Sequence, residues 1–306
     1  MYFNIVKRGF STSKVQHVIK NVTVIGGGLM GNGIAQVAAQ AGNNVILVDI
    51  DEKALNKAFE VIKTNTGRVA KRRFKGDQNQ MKPFVEQTLG RIKSSTDVES
   101  AVKDADLVVE AIVENTKIKQ KLFKNLDCAA PEKAIFATNT SSLSVTEIAS
   151  LTKRKHRFGG MHFFNPVPVM ELIEVVKTED TSEETFKELW NWGTSLGKTC
   201  IKCKDTPGFV VNRLLLPYLN EAIHMVERGD ASVEDIDIAM KLGAGYPMGP
   251  FQLADYSGHD TALAVLEDWH RRFPDNPTFK PTDTMIRMCE EGKFGVKSGE
   301  GFYKYN

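Results

Sequence analysis

Proton transfer near neutral pH suits imidazole, whose ordinary pKa lies in the working range, and the chain carries six histidines. Five stand in settings that point elsewhere. His17 lies in the basic N-terminal region, His156 in the basic stretch 153–157, His224 and His270 within helix-patterned segments, and His259 in a Gly-containing turn. His162 closes a buried-type run and leads into the ordered turn Phe163-Phe164-Asn165-Pro166-Val167-Pro168, where an open α/β sheet presents ligand-binding groups. A base placed there could take the hydroxyl proton of an alcohol while a hydride leaves the carbon. It works better beside a carboxylate that orients it and stabilises the imidazolium. Glu174, in the otherwise apolar run 172–176, is the candidate, because a carboxylate buried alone is costly. Two readings stand at this point: a base with its acid, or a satisfied core histidine and an edge carboxylate.

The elements around this pair explain what it would serve. Val22-Thr23-Val24-Ile25 reads as a strand, followed at once by Gly26-Gly27-Gly28-Leu29-Met30-Gly31, a helical stretch over 33–41, and a second strand over 45–48 that ends at Asp49. That is the full βαβ dinucleotide fingerprint, not an isolated glycine motif. Gly26 makes the tight turn, Gly28 lets the backbone approach a pyrophosphate on the helix N-terminus, and Gly31 lets helix and strand pack closely. Asp49 would accept hydrogen bonds from the adenosine ribose, and its charge, with that of Asp51, would repel the extra phosphate of NADP; the cofactor expected is NAD. The other reading of Asp49 is an N-cap for the helix from Glu52 onward.

Further strands are expected over 91–94, 107–113, 134–138, 158–163, 173–176 and 199–202, alternating with helical stretches. The fold class is therefore α/β, a Rossmann-like doubly wound, mostly parallel sheet. An insertion over about 52–90 reads as two helices, the first reaching Lys75 and the second starting near Lys82. It carries Lys53, Lys57, Lys63, Arg68, Lys71, Arg72, Arg73 and Lys75 against Glu52 and Glu60. Such a run is either a solvated face or a basic arm for a second, phosphorylated ligand. After the breaker cluster Asp205-Thr206-Pro207-Gly208 the signals are helical, over 209–228, from the capping-box-like Ser232-Val233-Glu234-Asp235 to Gly243, over 249–269 and over 282–291. The expected domains are 16–204, with the helical insertion, and an all-helical 205–306 that would offer a cleft for a second substrate.

Composition excludes several classes. A length of 306 residues with 42% hydrophobic and 25% charged side chains is that of an ordinary globular chain of about two domains. A net charge of +2 is too small to make nucleic acid the default partner. No apolar run approaches the ~20 residues of a membrane-spanning helix. The four cysteines, Cys128, Cys200, Cys203 and Cys289, are too sparse to staple the chain; Cys200-x-x-Cys203 outlines a redox or metal motif but lacks a second ligand pair nearby, so no metal site is expected. Residues 1–48 contain no Asp or Glu, and the first twenty hold Lys7, Arg8, Lys14 and Lys20 among Ser11, Thr12 and Ser13. That is the character of a mitochondrial transit segment, placed at about 1–15, the alternative being a frayed basic terminus.

Over about residues 18–305 the sequence resembles the short-chain L-3-hydroxyacyl-CoA dehydrogenases of mitochondrial fatty-acid β-oxidation. The resemblance rests on Val24-Ile25-Gly26-Gly27-Gly28-Leu29-Met30-Gly31, on Asn139-Thr140-Ser141-Ser142, on His162-Phe163-Phe164-Asn165-Pro166-Val167-Pro168-Val169-Met170, on Asp205-Thr206-Pro207-Gly208-Phe209-Val210-Val211-Asn212-Arg213, and on the tail Lys293-Phe294-Gly295-Val296-Lys297-Ser298-Gly299-Glu300-Gly301-Phe302-Tyr303. It implies oxidation of an L-3-hydroxyacyl-CoA to the 3-ketoacyl-CoA with NAD+, His162 being the base and Glu174 its partner. It implies that Ser141 and Asn212 bracket the substrate oxygen, with Ser141 also near the nicotinamide, and that Glu114, Lys119 and Lys297 lie around NAD. Asn65 and Arg72 fall where the family contacts coenzyme A, which gives the basic arm its ligand. A homodimer formed through the helical domain and a place in the mitochondrial matrix are implied as well. The competing readings are a relative acting on a smaller hydroxy acid, which has no use for the basic arm, and a nucleotide-binding sensor, which has no use for a base with its carboxylate.

Overall fold

The computed structural model describes residues 19–305; the expected transit segment, 1–15, and His17 lie outside the described residues. The strands are β1 (Asn21–Ile25), β2 (Asn44–Val48), β3 (Ile92–Ser95), β4 (Leu107–Glu110), β5 (Ile135–Thr138), β6 (Phe158–Phe163), β7 (Leu172–Lys177) and β8 (Thr199–Lys204). They form one sheet in the order β3-β2-β1-β4-β5-β6-β7-β8. Pairing is parallel from β3 through to β6, and β7 runs antiparallel to β6. The sheet is thus Rossmann-like and mostly parallel, with the order reversing between β1 and β4, where such sheets open a crevice beyond the strand ends. β4 and β5 are buried along their whole length, as strands covered on both faces must be, and their sequences are correspondingly apolar up to Glu110 and Thr138. β4 ends at Glu110 rather than running to Val113. The Glu110 side chain accepts the Ile112 N–H at 2.7 Å, turning the chain out of the ladder.

The helices α1 (Leu29–Gln40), α2 (Glu52–Arg73), α3 (Gln78–Gly90), α4 (Val98–Ala101), α5 (Thr116–Ala129), α6 (Val145–Ala149) and α7 (Glu183–Ser195) accompany the sheet. α2 starts where Asp51 accepts the Ala54 N–H at 2.7 Å, and α3 where Asp77 accepts the Asn79 N–H at 3.0 Å. The second arm helix therefore begins at Gln78 rather than near Lys82. α2 buries Leu55, Ala58 and Ile62 against Ile34, Ala35 and Ala38 of α1 and the apolar faces of β1 and β2. Its basic residues remain on the outer face. At the tip of the arm, Phe74 and Phe84 meet edge to face at 5.5 Å under the Arg73 guanidinium.

The contacts gather the chain into two units, the first running to Thr140 and resuming over Val145–Lys202, the second being Ser141–Ser144 with Cys203–Asn306. A single cut at 204/205, as the sequence suggests, would leave Ser141 in the first. The second unit is built from α8 (Val211–Glu227), α9 (Val233–Gly243), α10 (Pro250–Ser257), α11 (His259–Arg272) and α12 (Asp283–Glu290), around Leu216, Ile223, Phe251, Leu266, Trp269, Phe279 and Met285. The expected single helix over 249–269 is broken at Gly258, whose φ of 92° suits glycine and ends α10. The break sets His259 at the head of α11, fully buried, with Nε2 at 2.6 Å from Asp255 Oδ1. His259 thus opens a helix and is not part of the Gly-containing turn that the sequence suggests.

Candidate functional site

In the first unit the chain leaves β1 through Gly26, whose φ is 102° and whose N–H donates to the Val48 carbonyl at 2.8 Å. A side chain at Gly31 would lie 1.7 Å from the Gly26 carbonyl oxygen, so this glycine is required for α1 to pack against the turn. Gly28 is different: a Cβ there would meet nothing within 4 Å, and it caps α1 without a side-chain hydrogen bond. The first turn, with Leu29 and Met30, contains no acidic residue. An uncapped helix start that the backbone leaves open favours an anion. Asp49 lies beside it, its Oδ2 accepting the Gly27 N–H at 2.6 Å and its Oδ1 the Ile50 N–H at 2.7 Å. Because Asp51 caps α2, Asp49 does not serve as that cap. Next to Asp49 a cavity of about 320 Å3 is lined by Val48, Ile50, Ile112, Ile118 and Leu122 among others. An open helix start, a carboxylate at the end of β2 and an apolar slot together fit a dinucleotide.

At the end of β4 lies a charge cluster. Lys119, only 1% exposed, puts Nζ 2.6 Å from Glu110 Oε1 and 3.0 Å from Glu114 Oε2. Thr138 donates to Glu110 Oε2 at 2.6 Å, and Thr140 to Glu114 Oε1 at 3.0 Å. Lys119 alone reads as a surface lysine; the structure buries it between two carboxylates instead. Sequence reasoning also missed Glu110, though it stands in an apolar run just as Glu174 does.

His162 and Glu174 are directly opposite each other in the β6–β7 register. His162 Nδ1 lies 2.7 Å from Glu174 Oε2, and the residues are 4% and 0% exposed. The structure thus brings together the two residues that the sequence offered as a pair. The turn after His162 is fixed from three sides. Asn139 accepts the Phe163 N–H at 2.9 Å, Lys198 Nζ donates to the Val167 and Met170 carbonyls at 2.7 Å each, and Val167 packs on Gly33 with no room for a Cβ. Burial pushes the Lys198 pKa down, with the Glu171 charge opposing it.

The second unit holds Ser141, Asn212 and Lys297. Asn212 Nδ2 donates to the Ser141 carbonyl at 3.4 Å, so these two are neighbours. Lys297 pairs with Asp260 at 2.6 Å. Asn65 and Arg72 both lie on α2, Asn65 half-buried and accepting from Arg68, Arg72 exposed. Cys200 and Cys203 are buried in β8, and burial pushes the Cys200 thiol up to about 11, Thr194 opposing, so that it is protonated near neutral pH.

Comparison with known proteins bears on these sites together. The family model described as "3-hydroxyacyl-CoA dehydrogenase, NAD binding domain" matches residues 21–206, and "3-hydroxyacyl-CoA dehydrogenase, C-terminal domain" matches 208–305. The chain is 56% identical to the mitochondrial hydroxyacyl-coenzyme A dehydrogenase of Homo sapiens, over 96% of this chain and 94% of that one. It is 53% identical to a probable 3-hydroxyacyl-CoA dehydrogenase of Caenorhabditis elegans, over 97% of this chain and 96% of that one. The crystal structure of (S)-3-hydroxybutyryl-CoA dehydrogenase from Ralstonia eutropha superimposes with a TM-score of 0.88 at 42% identity, covering 94% of this chain and 99% of that one. With the sheet and the helical unit each matched by their own family model, the chain belongs to the 3-hydroxyacyl-CoA dehydrogenase family, a family of NAD-dependent oxidoreductases.

Proposed function

We propose that this chain oxidises L-3-hydroxyacyl-CoA to 3-ketoacyl-CoA with His162 as general base and Glu174 as its partner. The observation that carries the assignment is the buried cross-strand pair at 2.7 Å. An Nδ1–H given to the carboxylate makes Nε2 the basic nitrogen of the ring. Nε2 takes the proton of the 3-hydroxyl as the C3–H electron pair departs and the C3–O bond becomes a carbonyl. Bound NAD+ supplies the acceptor for that hydride. Glu174, buried beside the ring, stabilises the imidazolium. Ser141 and Asn212 donate to the substrate oxygen, types suited to an oxygen whose charge changes in the reaction.

The residues proposed to hold NAD are Gly26, Gly27, Gly28, Leu29, Met30, Gly31, Asp49, Glu114, Lys119, Ser141 and Lys297. Lys119 acts from within the buried cluster, since its ammonium is already engaged by two carboxylates. Asn65 and Arg72 are proposed contacts for coenzyme A on the basic outer face of α2, whose cations suit its phosphates. Exposed Leu214, Ile238, Leu242 and Tyr246 give the helical unit apolar surface suited to a homodimer. The names of the mammalian relatives and the acid-free N-terminus support a mitochondrial location, and we place the protein in the matrix.

The test is NADH absorbance with purified protein. NADH is expected to form from L-3-hydroxybutyryl-CoA and NAD+, and not from free 3-hydroxybutyrate or with NADP+. Activity on the free acid would point to a smaller substrate, and absence of turnover despite NAD binding would overturn the assignment. Cofactor choice has its own variant. Asp49→Ser removes a charged acceptor worth about 1.5–3 kcal/mol, so kcat/KM for NAD+ falls roughly 10- to 100-fold while that for NADP+ rises. An unchanged ratio of the two kcat/KM values would remove Asp49 from cofactor selection.

A further inference from the structure

We propose that Lys198 is a positioning residue for the base, clasping the β6–β7 connection so that His162 keeps its place relative to the dinucleotide helix α1. Residues 164–171 join the strand that carries His162 to the strand that carries Glu174. Lys198 stands outside this connection, in the turn between α7 and β8, and its Nζ donates across to the Val167 and Met170 carbonyls at 2.7 Å each. Its own backbone is set by the next residue, whose N–H donates to the Glu171 carbonyl at 2.7 Å. The side chain is half-buried, and among the described residues its charge meets no carboxylate at ion-pair distance; Glu171 acts on it from further off. Taking an ammonium out of water costs free energy. The Met170 carbonyl belongs to a residue 40% exposed, where water would serve as a donor. Satisfying a surface turn therefore does not require a desolvated cation, whereas holding that turn in one place does, because charge-assisted hydrogen bonds are the strong ones.

The clasped turn touches the base at one end and α1 at the other. Phe164 lies against the His162 ring, with centroids 4.6 Å apart. Val167 seats on Gly33 of α1, where an added Cβ would stand 2.7 Å from the Val167 Cβ. Between them, the Pro166 carbonyl accepts the Val169 and Met170 N–H groups at 2.9 Å each, so the turn moves as one piece. Lys198 holds that piece at Val167, the residue seated on α1, and at Met170, the last residue closed by the Pro166 carbonyl. Hydride transfer needs the base, the reacting carbon and the acceptor in register, and a misplacement of about 1 Å can cost about 100-fold. Without the clasp the turn shifts on α1 and Phe164 no longer steadies the imidazole. The glycine loop and Asp49 stand on β1 and β2 and keep their geometry, so turnover suffers while cofactor binding does not. This inference rests on the reading of His162 as the base.

The experiment measures kcat, KM for NAD+ and the isotope effect on kcat with L-3-hydroxybutyryl-CoA deuterated at C3, in the wild type, Lys198→Met, Lys198→Arg and His162→Gln. Lys198→Met keeps the length of the side chain without a donor, and is expected to lower kcat about tenfold with KM for NAD+ within about twofold of the wild type. The isotope effect should rise, because cleavage of the C3–H bond then limits turnover more fully. A loss of folded protein would lower kcat and leave the isotope effect where it was. Lys198→Arg restores a charged donor and should bring kcat back to within about threefold of the wild type. Wild-type kcat in Lys198→Met, a fall in kcat with an unchanged isotope effect, or an arginine variant as slow as the methionine one would each overturn the clasp. Lys198→Gln, with one amide donor on a shorter stem, decides the matter where the methionine variant does not fold. It should lose about three- to fivefold in kcat with a raised isotope effect, and wild-type values there also overturn the proposal. Near-normal turnover in His162→Gln removes the base and this role with it, whereas an enzyme that needs His162 and is indifferent to Lys198→Met removes the clasp alone.

Discussion

His162→Gln is expected to lower kcat by at least ~100-fold while NAD+ still binds. Glutamine keeps a polar group near Glu174 but has no nitrogen that can accept a proton at neutral pH, so the hydroxyl proton must go to water. The glycine loop and Asp49 stand on other strands, and the cofactor's dissociation constant should change little. Separating binding from turnover is therefore the decisive measurement: cofactor titration by fluorescence, then single-turnover NADH formation at saturating thioester. Near-normal turnover would sink the assignment of the base. Glu174→Gln is the companion. It preserves shape but loses the charge that orients the ring and stabilises the imidazolium, so kcat falls by about tenfold or more. An unchanged rate would make Glu174 a core residue with no part in the reaction.

The pair was legible as two separate anomalies, a histidine at the end of an apolar run and a carboxylate inside another. Their being opposite was not, because register depends on the turn between β6 and β7 and on the antiparallel direction of β7. The dinucleotide loop was readable in detail, since each glycine answers a local demand of backbone or packing. Glu110 carried the same signal as Glu174, a carboxylate in the run 107–113, and was absorbed into a strand. Its partner Lys119 stands on α5 and its other partner, Thr138, on β5, so only the parallel β4–β5 pairing brings them together. The helical unit was read least well. Periodicity runs through Gly258, and nothing local announces that His259 turns back onto Asp255 or that the tail folds over the same carboxylate.

That carboxylate makes the strongest stability prediction. Asp255 is 1% exposed. Its Oδ1 accepts from the Phe302 N–H at 2.9 Å and faces His259 Nε2 at 2.6 Å, while its Oδ2 accepts from the Tyr303 N–H and the Tyr305 hydroxyl, each at 2.9 Å. Asp237 adds a second tie to the tail, through the Tyr303 hydroxyl at 2.9 Å. Asp255→Asn turns one acceptor oxygen into a donor facing donors, and breaking such a buried constellation costs about 3–5 kcal/mol. Amide exchange at Phe302 and Tyr303 should accelerate by orders of magnitude, and the denaturant midpoint should fall. The pH dependence has a definite sign. Burial pushes the Asp255 carboxyl up, but the bonds from His259, the two tail amides and Tyr305 outweigh it and hold the pKa below the ordinary 3.8. A folded value below the unfolded one means that the contribution is present above about pH 3.8 and is lost as the pH falls through the folded value. The stability gap between wild type and Asp255→Asn should therefore shrink in acid below that point. Equal midpoints at neutral pH would show that the tail is held by its apolar contacts alone, Phe302 against Phe251 at 4.6 Å foremost among them.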